Sequence, residues 1–134
     1  MSKLVDVEGI GEAYAQKLQD AGIATTQALL EKGASPQGRK EIAEKTGISE
    51  TLILEWVNHV DLFRIKGVGE EYADLLEAAG VDTVPELAQR NPENLHQKLV
   101  AVNQEKKLVR QLPNQAQVSD WIEQARQLPR VITY

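Results

Sequence analysis

The chain has no cysteine. That excludes a disulfide framework and any thiolate metal site, and it removes one common mark of secretion. No apolar run approaches the roughly 18 to 20 residues needed to cross a bilayer, and Met1-Ser2-Lys3-Leu4 opens no signal-peptide core. No stretch reads convincingly as a strand; the one β-like run is Arg130-Val131-Ile132-Thr133-Tyr134. No Ser/His/Asp order suggests itself, and neither Gly-x-Gly is followed by Gly-Lys-Ser/Thr, so no Walker-type phosphate loop is present. These absences lead us to expect a soluble cytoplasmic protein with no membrane contact, no cofactor and no enzymatic activity.

What is present is a duplication. Val7-Glu8-Gly9-Ile10-Gly11-Glu12-Ala13-Tyr14-Ala15 returns 58 residues later as Ile65-Lys66-Gly67-Val68-Gly69-Glu70-Glu71-Tyr72-Ala73. The match continues through Leu18/Leu76, Ala21/Ala79, Gly22/Gly80 and Thr25/Thr83. An internal repeat of this kind organises the whole reading of the fold.

Helix signals dominate. Apolar residues at Ala15, Leu18 and Ala21 recur at helical spacing before Gly22, and Ala73, Leu76 and Ala79 do so before Gly80. Both glycines fit the left-handed residue that follows a helix. Thr25 or Thr26 caps a short helix closed by Gly33. Ser35-Pro36 and Asn91-Pro92 each pair a capping side chain with proline at the first helical position. Thr83 with Glu86 matches a capping box. Ser49 starts a longer helix through Trp56 to Phe63, and Pro113 forces a break. A last helix, about 116–128, carries Trp121 in the place Trp56 holds earlier. The expected fold is all-α, a tandem pseudo-repeat of about eight to ten short helices in one compact unit. Its parts are a first repeat over 1–64, a second over 65–128 and an extended tail over 129–134.

Gly-hydrophobic-Gly-x-x-x-Ala, seen as Gly9-Ile10-Gly11 with Ala15 and Gly67-Val68-Gly69 with Ala73, resembles the helix-hairpin-helix pattern. The first glycine takes a backbone conformation closed to other residues. The second leaves amides exposed at a helix N-terminus, an anion-accepting nest. The chain also looks like the DUF4332 family of uncharacterised bacterial proteins, grouped with helix-hairpin-helix domains. Thr46-Gly47-Ile48-Ser49, Trp56-Val57-Asn58-His59, Arg64 to Gly69, Asn91 to Leu95 and Trp121 to Ala125 carry that likeness. The resemblance implies non-specific contact with nucleic-acid backbone through the hairpin amides around Gly9, Gly11, Gly67 and Gly69, in some relatives with a monovalent cation on hairpin carbonyls.

Charge pulls both ways. Residues 1–61 carry 6 basic and 10 acidic side chains, residues 62–95 carry 3 and 7, and residues 96–134 carry 6 and 3. Glu12, Glu70 and Glu71 follow the second glycines; they favour their helices but compete with a phosphate. Lys66, Lys98, Lys106, Lys107 and Arg110 form the basic candidates, with Arg64, Arg126 and Arg130 nearby. Arg39-Lys40 and Lys45 are interleaved with Glu41 and Glu44, which favours local pairing. Two readings follow: a nucleic-acid-backbone binder, or a protein-interaction module that uses its acidic hairpins. His59 and His96 have no partners in a metal-binding pattern, so no metal site is expected. Tyr14, Tyr72, Trp56 and Trp121 read as packing residues. Replacing Gly67 and Gly69 by alanine is expected to destabilise the fold under either reading.

Overall fold

Six of the eight helices begin at a short polar side chain that accepts one of their own first-turn amides. The computed structural model describes residues 3–134, and among these the chain is all-helical without strands. The helices are α1 (Glu12–Asp20), α2 (Thr26–Lys32), α3 (Pro36–Thr46), α4 (Glu50–Asp61), α5 (Glu70–Ala78), α6 (Val84–Ala88), α7 (Pro92–Lys106) and α8 (Gln115–Gln127). Thr25, Ser35 and Ser49 cap α2, α3 and α4; Thr83, Asn91 and Asn114 cap α6, α7 and α8. Each such cap contributes about 1 kcal/mol.

The capping box expected at Thr83 is half made. Thr83 Oγ1 accepts the Glu86 amide at 3.4 Å, but the Glu86 carboxylate turns to Arg90 at 3.9 Å. The reciprocal box closes instead at α8, where Asn114 N donates to Gln117 Oε1 at 2.9 Å and Gln117 N to Asn114 Oδ1 at 2.8 Å. At the helix ends, Gly22 and Gly80 take φ of +88° and +92°. Their carbonyls accept from Lys32 Nζ at 3.2 Å and Arg90 Nη2 at 3.1 Å, a cationic cap on each helix C-terminus.

Two compact units emerge, one comprising Met1–Asp61 with Val131–Tyr134, the other Leu62–Arg130. The division falls between Asp61 and Leu62 rather than after Arg64, because Leu62 is fully buried in the second core. There α4 gives way to a 3-10 turn over Leu62–Arg64. In the first unit α4 packs on α2 and α3, and α1 on α3. In the second, α8 packs on α6 and α7, and α5 on α7. Leu18, Leu29, Ile53 and Trp56 fill the first core; Leu76, Leu87, Leu99 and Trp121 fill the second. Each of these side chains contributes roughly 1.5 to 3 kcal/mol by leaving water.

Arg39 departs from the expected local pairing. It is buried, 5% exposed, and its guanidinium donates to Gly33 O and Thr133 O, both at 2.8 Å. Carbonyls close at hand satisfy a buried cation without a carboxylate.

Candidate functional site

The first Gly-x-Gly stretch follows a single 3-10 turn, Leu4–Asp6, whereas the second follows α4 and the 3-10 turn Leu62–Arg64 that continues it, and each leads into an α-helix. Only in the first copy is the element before the turn shorter than a helix. Ile10 N donates to Val7 O at 3.0 Å, and Val68 N to Ile65 O at 3.1 Å. The apolar residues between the glycines, Ile10 and Val68, are both buried.

The first glycine of each pair is fully accounted for by the fold. Gly9 and Gly67 have φ of +91° and +96°. A Cβ at Gly9 would lie 3.3 Å from Trp56 Nε1, and one at Gly67 3.1 Å from Trp121 Nε1. Conformation and space both demand glycine there.

The second glycine is different. Gly11 (φ −82°, ψ −179°) and Gly69 (φ −95°, ψ −165°) are extended, as any residue can be. A Cβ at either would meet no atom within 4 Å. Of the two glycines whose joint replacement by alanine is expected to destabilise the fold, Gly67 carries the strain, since a Cβ at Gly69 meets no atom within 4 Å. These same glycines are the N-caps of α1 and α5, and neither supplies a side-chain acceptor. The first-turn amides of those two helices carry the positive end of the helix dipole without a side-chain cap.

The DUF4332 family model, described as a domain of unknown function, matches residues 8–128. The chain belongs to the DUF4332 family. No curated protein and no solved structure matches it. The matched stretch of this DUF4332 chain includes both turns and ends before Val131–Tyr134.

Around the turns, the tyrosines pack on the tryptophans. Tyr14 meets Trp56 with ring centroids 5.2 Å apart at 60°, and Tyr72 meets Trp121 at 5.2 Å and 51°. Such pairs contribute about 0.5 to 1.5 kcal/mol beyond burial. Tyr14 stays 36% exposed with Lys17 Nζ 5.9 Å from its ring centre. Tyr72 instead donates its hydroxyl to Gln111 O at 2.9 Å.

Tyr72 stands on the first turn of α5, so its hydroxyl holds Gln111 of the 107–114 loop against that helix. The loop is braced by Asn103, which accepts from Val109 N at 3.0 Å and donates to Val109 O at 3.2 Å. His96 holds it again through Pro113 O at 3.1 Å. Arg110 precedes the anchored Gln111, and Lys107 starts the loop at φ +52°. Lys66 lies within the second turn itself; Gln124 donates to its carbonyl at 3.1 Å and accepts from its amide at 2.9 Å. Lys66, Lys107 and Arg110 are all exposed.

Lys98 and Lys106 are also exposed on α7, but among the described residues no hydrogen bond or ion pair ties them to the turn. Arg64 donates to Pro129 O at 2.6 Å, and Arg126 to Ala88 O at 3.3 Å while lying 3.9 Å from Glu123. Glu8 stands in the first turn where Lys66 stands in the second. Glu12, Glu70 and Glu71 are exposed in the first turns of α1 and α5. His59 is buried in α4, and no group of three His, Asp or Glu among the described residues could hold a metal ion. None of the described helices is long and apolar enough to cross a membrane.

The sequence reading missed Gln124, Asn103 and His96 as supports. Their partners are backbone groups of distant loops, and no local pattern signals such a pairing.

Proposed function

We propose that this chain is a non-catalytic tandem helix-hairpin-helix module that binds nucleic-acid backbone without sequence preference, chiefly through its second turn. The carrying observation is the open second glycine: Gly11 and Gly69 have room for a side chain, and the helices they start have no side-chain cap. A phosphate oxygen is the kind of group that completes such a helix start. Lys66 precedes Gly69 within the second turn where Glu8 stands in the first, and the exposed Lys107 and Arg110 lie on the loop that Tyr72 holds. Glu70 and Glu71 compete against these cations as Glu12 does at Gly11. The absence of cysteine fits action in the reducing cytoplasm.

A protein-interaction module is the second reading, favoured by the exposed Glu12, Glu70 and Glu71 in the same helical turns. There the amides and carboxylates would dock a basic, amide-rich partner surface.

Fluorescence anisotropy of labelled duplex and single-stranded DNA separates the two. Binding at micromolar protein in about 50 mM salt is expected, weakening steeply as salt rises. Lys66→Ala should lower the salt slope by about 1, and Lys17→Ala should leave it unchanged. No detectable binding under these conditions overturns the nucleic-acid reading. A rise of tenfold or more on combining Glu70→Lys with Glu71→Lys, from a wild type that barely binds, would favour the protein reading.

A further inference from the structure

Val131–Tyr134 lies on the first unit in the manner of a bound peptide. Thr133 N donates to Ala34 O at 2.7 Å, and Arg39 Nη2 donates to Thr133 O at 2.8 Å. Ile132 is buried, 3% exposed. Tyr134 Oη donates to Asn58 Oδ1 at 3.0 Å, and its ring centre lies 5.8 Å from the Arg39 guanidinium carbon. Main-chain bonds, one apolar pocket and one aromatic contact are the components of extended-peptide recognition.

We propose that this seat on the first unit is a peptide-docking site, filled in cis by Val131–Tyr134 and in trans by the same segment of a second copy. Three features support exchange. The segment comes after α8 has ended at Gln127, so it leaves its seat without unwinding a helix. Pro129 is pinned by Arg64, which leaves the exposed Arg130 as the hinge between two fixed points. Short constrained hinges of this kind favour swapping between copies. Finally, Arg39 is built for an occupant: it is a buried cation, and Thr133 O is one of the two carbonyls that accept from it. Emptying the seat exchanges the Thr133 carbonyl for water at that guanidinium, and a replacement segment restores the carbonyl.

The test uses the full chain with Ile132→Asp, which empties the seat by placing a carboxylate in its apolar pocket. The probe is a synthetic peptide of sequence Arg-Val-Ile-Thr-Tyr, titrated while backbone amide shifts are followed by NMR. Shifts at residues 33–39 and Asn58 are expected in the variant. The wild type should need at least tenfold more peptide, because its own tail competes at an effective concentration on the order of millimolar. Shifts of equal size in both proteins, or none at those residues in a folded variant, overturn the proposal. Thr133→Pro, which removes the donor to Ala34 O without adding charge, provides a second emptied seat. Unfolding of both variants would also overturn it, since the segment would then be a fixed part of the core. In sedimentation at rising concentration, the wild type should show a dimer that Ile132→Asp lacks; a strictly monomeric wild type overturns exchange between copies.

Discussion

At the first turn, Trp56 lies under Gly9 and Tyr14 leans on its indole with the ring 36% exposed. At the second, Trp121 and Tyr72 make the same stack, but the Tyr72 hydroxyl is tied to Gln111 and Gln124 grips the backbone of Lys66. The backbone device is shared, while its surroundings differ because the second unit has more chain to place there. α7 runs 15 residues against 11 for α3, and the loop after it spans 107–114 where the first unit has only 47–49. Extra length in the second unit supplies the loop whose Gln111 carbonyl the Tyr72 hydroxyl holds. Matching sequence motifs thus do not make matching sites: both turns carry glutamates after the second glycine, but the second has Lys66 where the first has Glu8, and only the second has its tyrosine hydroxyl tied to a neighbouring loop among the described residues.

Replacing the tryptophans tests the shared part most severely. Trp56→Ala and Trp121→Ala should each cost about 3 to 5 kcal/mol in urea unfolding. Losses below about 1 kcal/mol would mean that the indoles do not support the turns. Next in size, Gly9→Ala and Gly67→Ala should each cost about 1 to 3 kcal/mol, since both force a side chain into a positive-φ site against an indole. Gly11→Ala and Gly69→Ala should stay within about 1 kcal/mol of wild type. If Gly69→Ala proved as costly as Gly67→Ala, the second glycine would have a structural duty and the argument for an outside ligand would lose its basis. The smallest effect sharpens the difference between the turns. Tyr72→Phe should cost about 1 kcal/mol and speed amide exchange over 107–114, whereas Tyr14→Phe should change stability by less than about 0.5 kcal/mol. Equal effects would erase the distinction between a braced turn and an open one.

Much of the scaffold was readable in advance. Ser35-Pro36, Asn91-Pro92, Gly22, Gly47 and Gly80 marked helix boundaries that the structure places within a residue or two. Trp56 and Trp121 both lie in the core, as their apolar helix faces imply. The box at Thr83 was overread because Glu86 has a competing partner in Arg90. Arg39 was misread because its sequence neighbours are acidic while its spatial neighbours are carbonyls. Of the basic candidates, spacing could not show that only Lys66 lies within a turn, that Lys98 and Lys106 lie on α7, and that Lys107 and Arg110 lie on the loop after it.

Helix starts, helix ends and the need for glycine at positions 9 and 67 follow from residue identity, since caps, proline geometry and positive φ act within about four residues of chain. The seat of Val131–Tyr134, the clamp of Gln124 on Lys66 and the brace from Tyr72 to Gln111 were assigned only when the chain folded. Their partners lie 94, 58 and 39 residues apart, and a hydrogen bond at such separation is set by how helices pack, which no local pattern encodes.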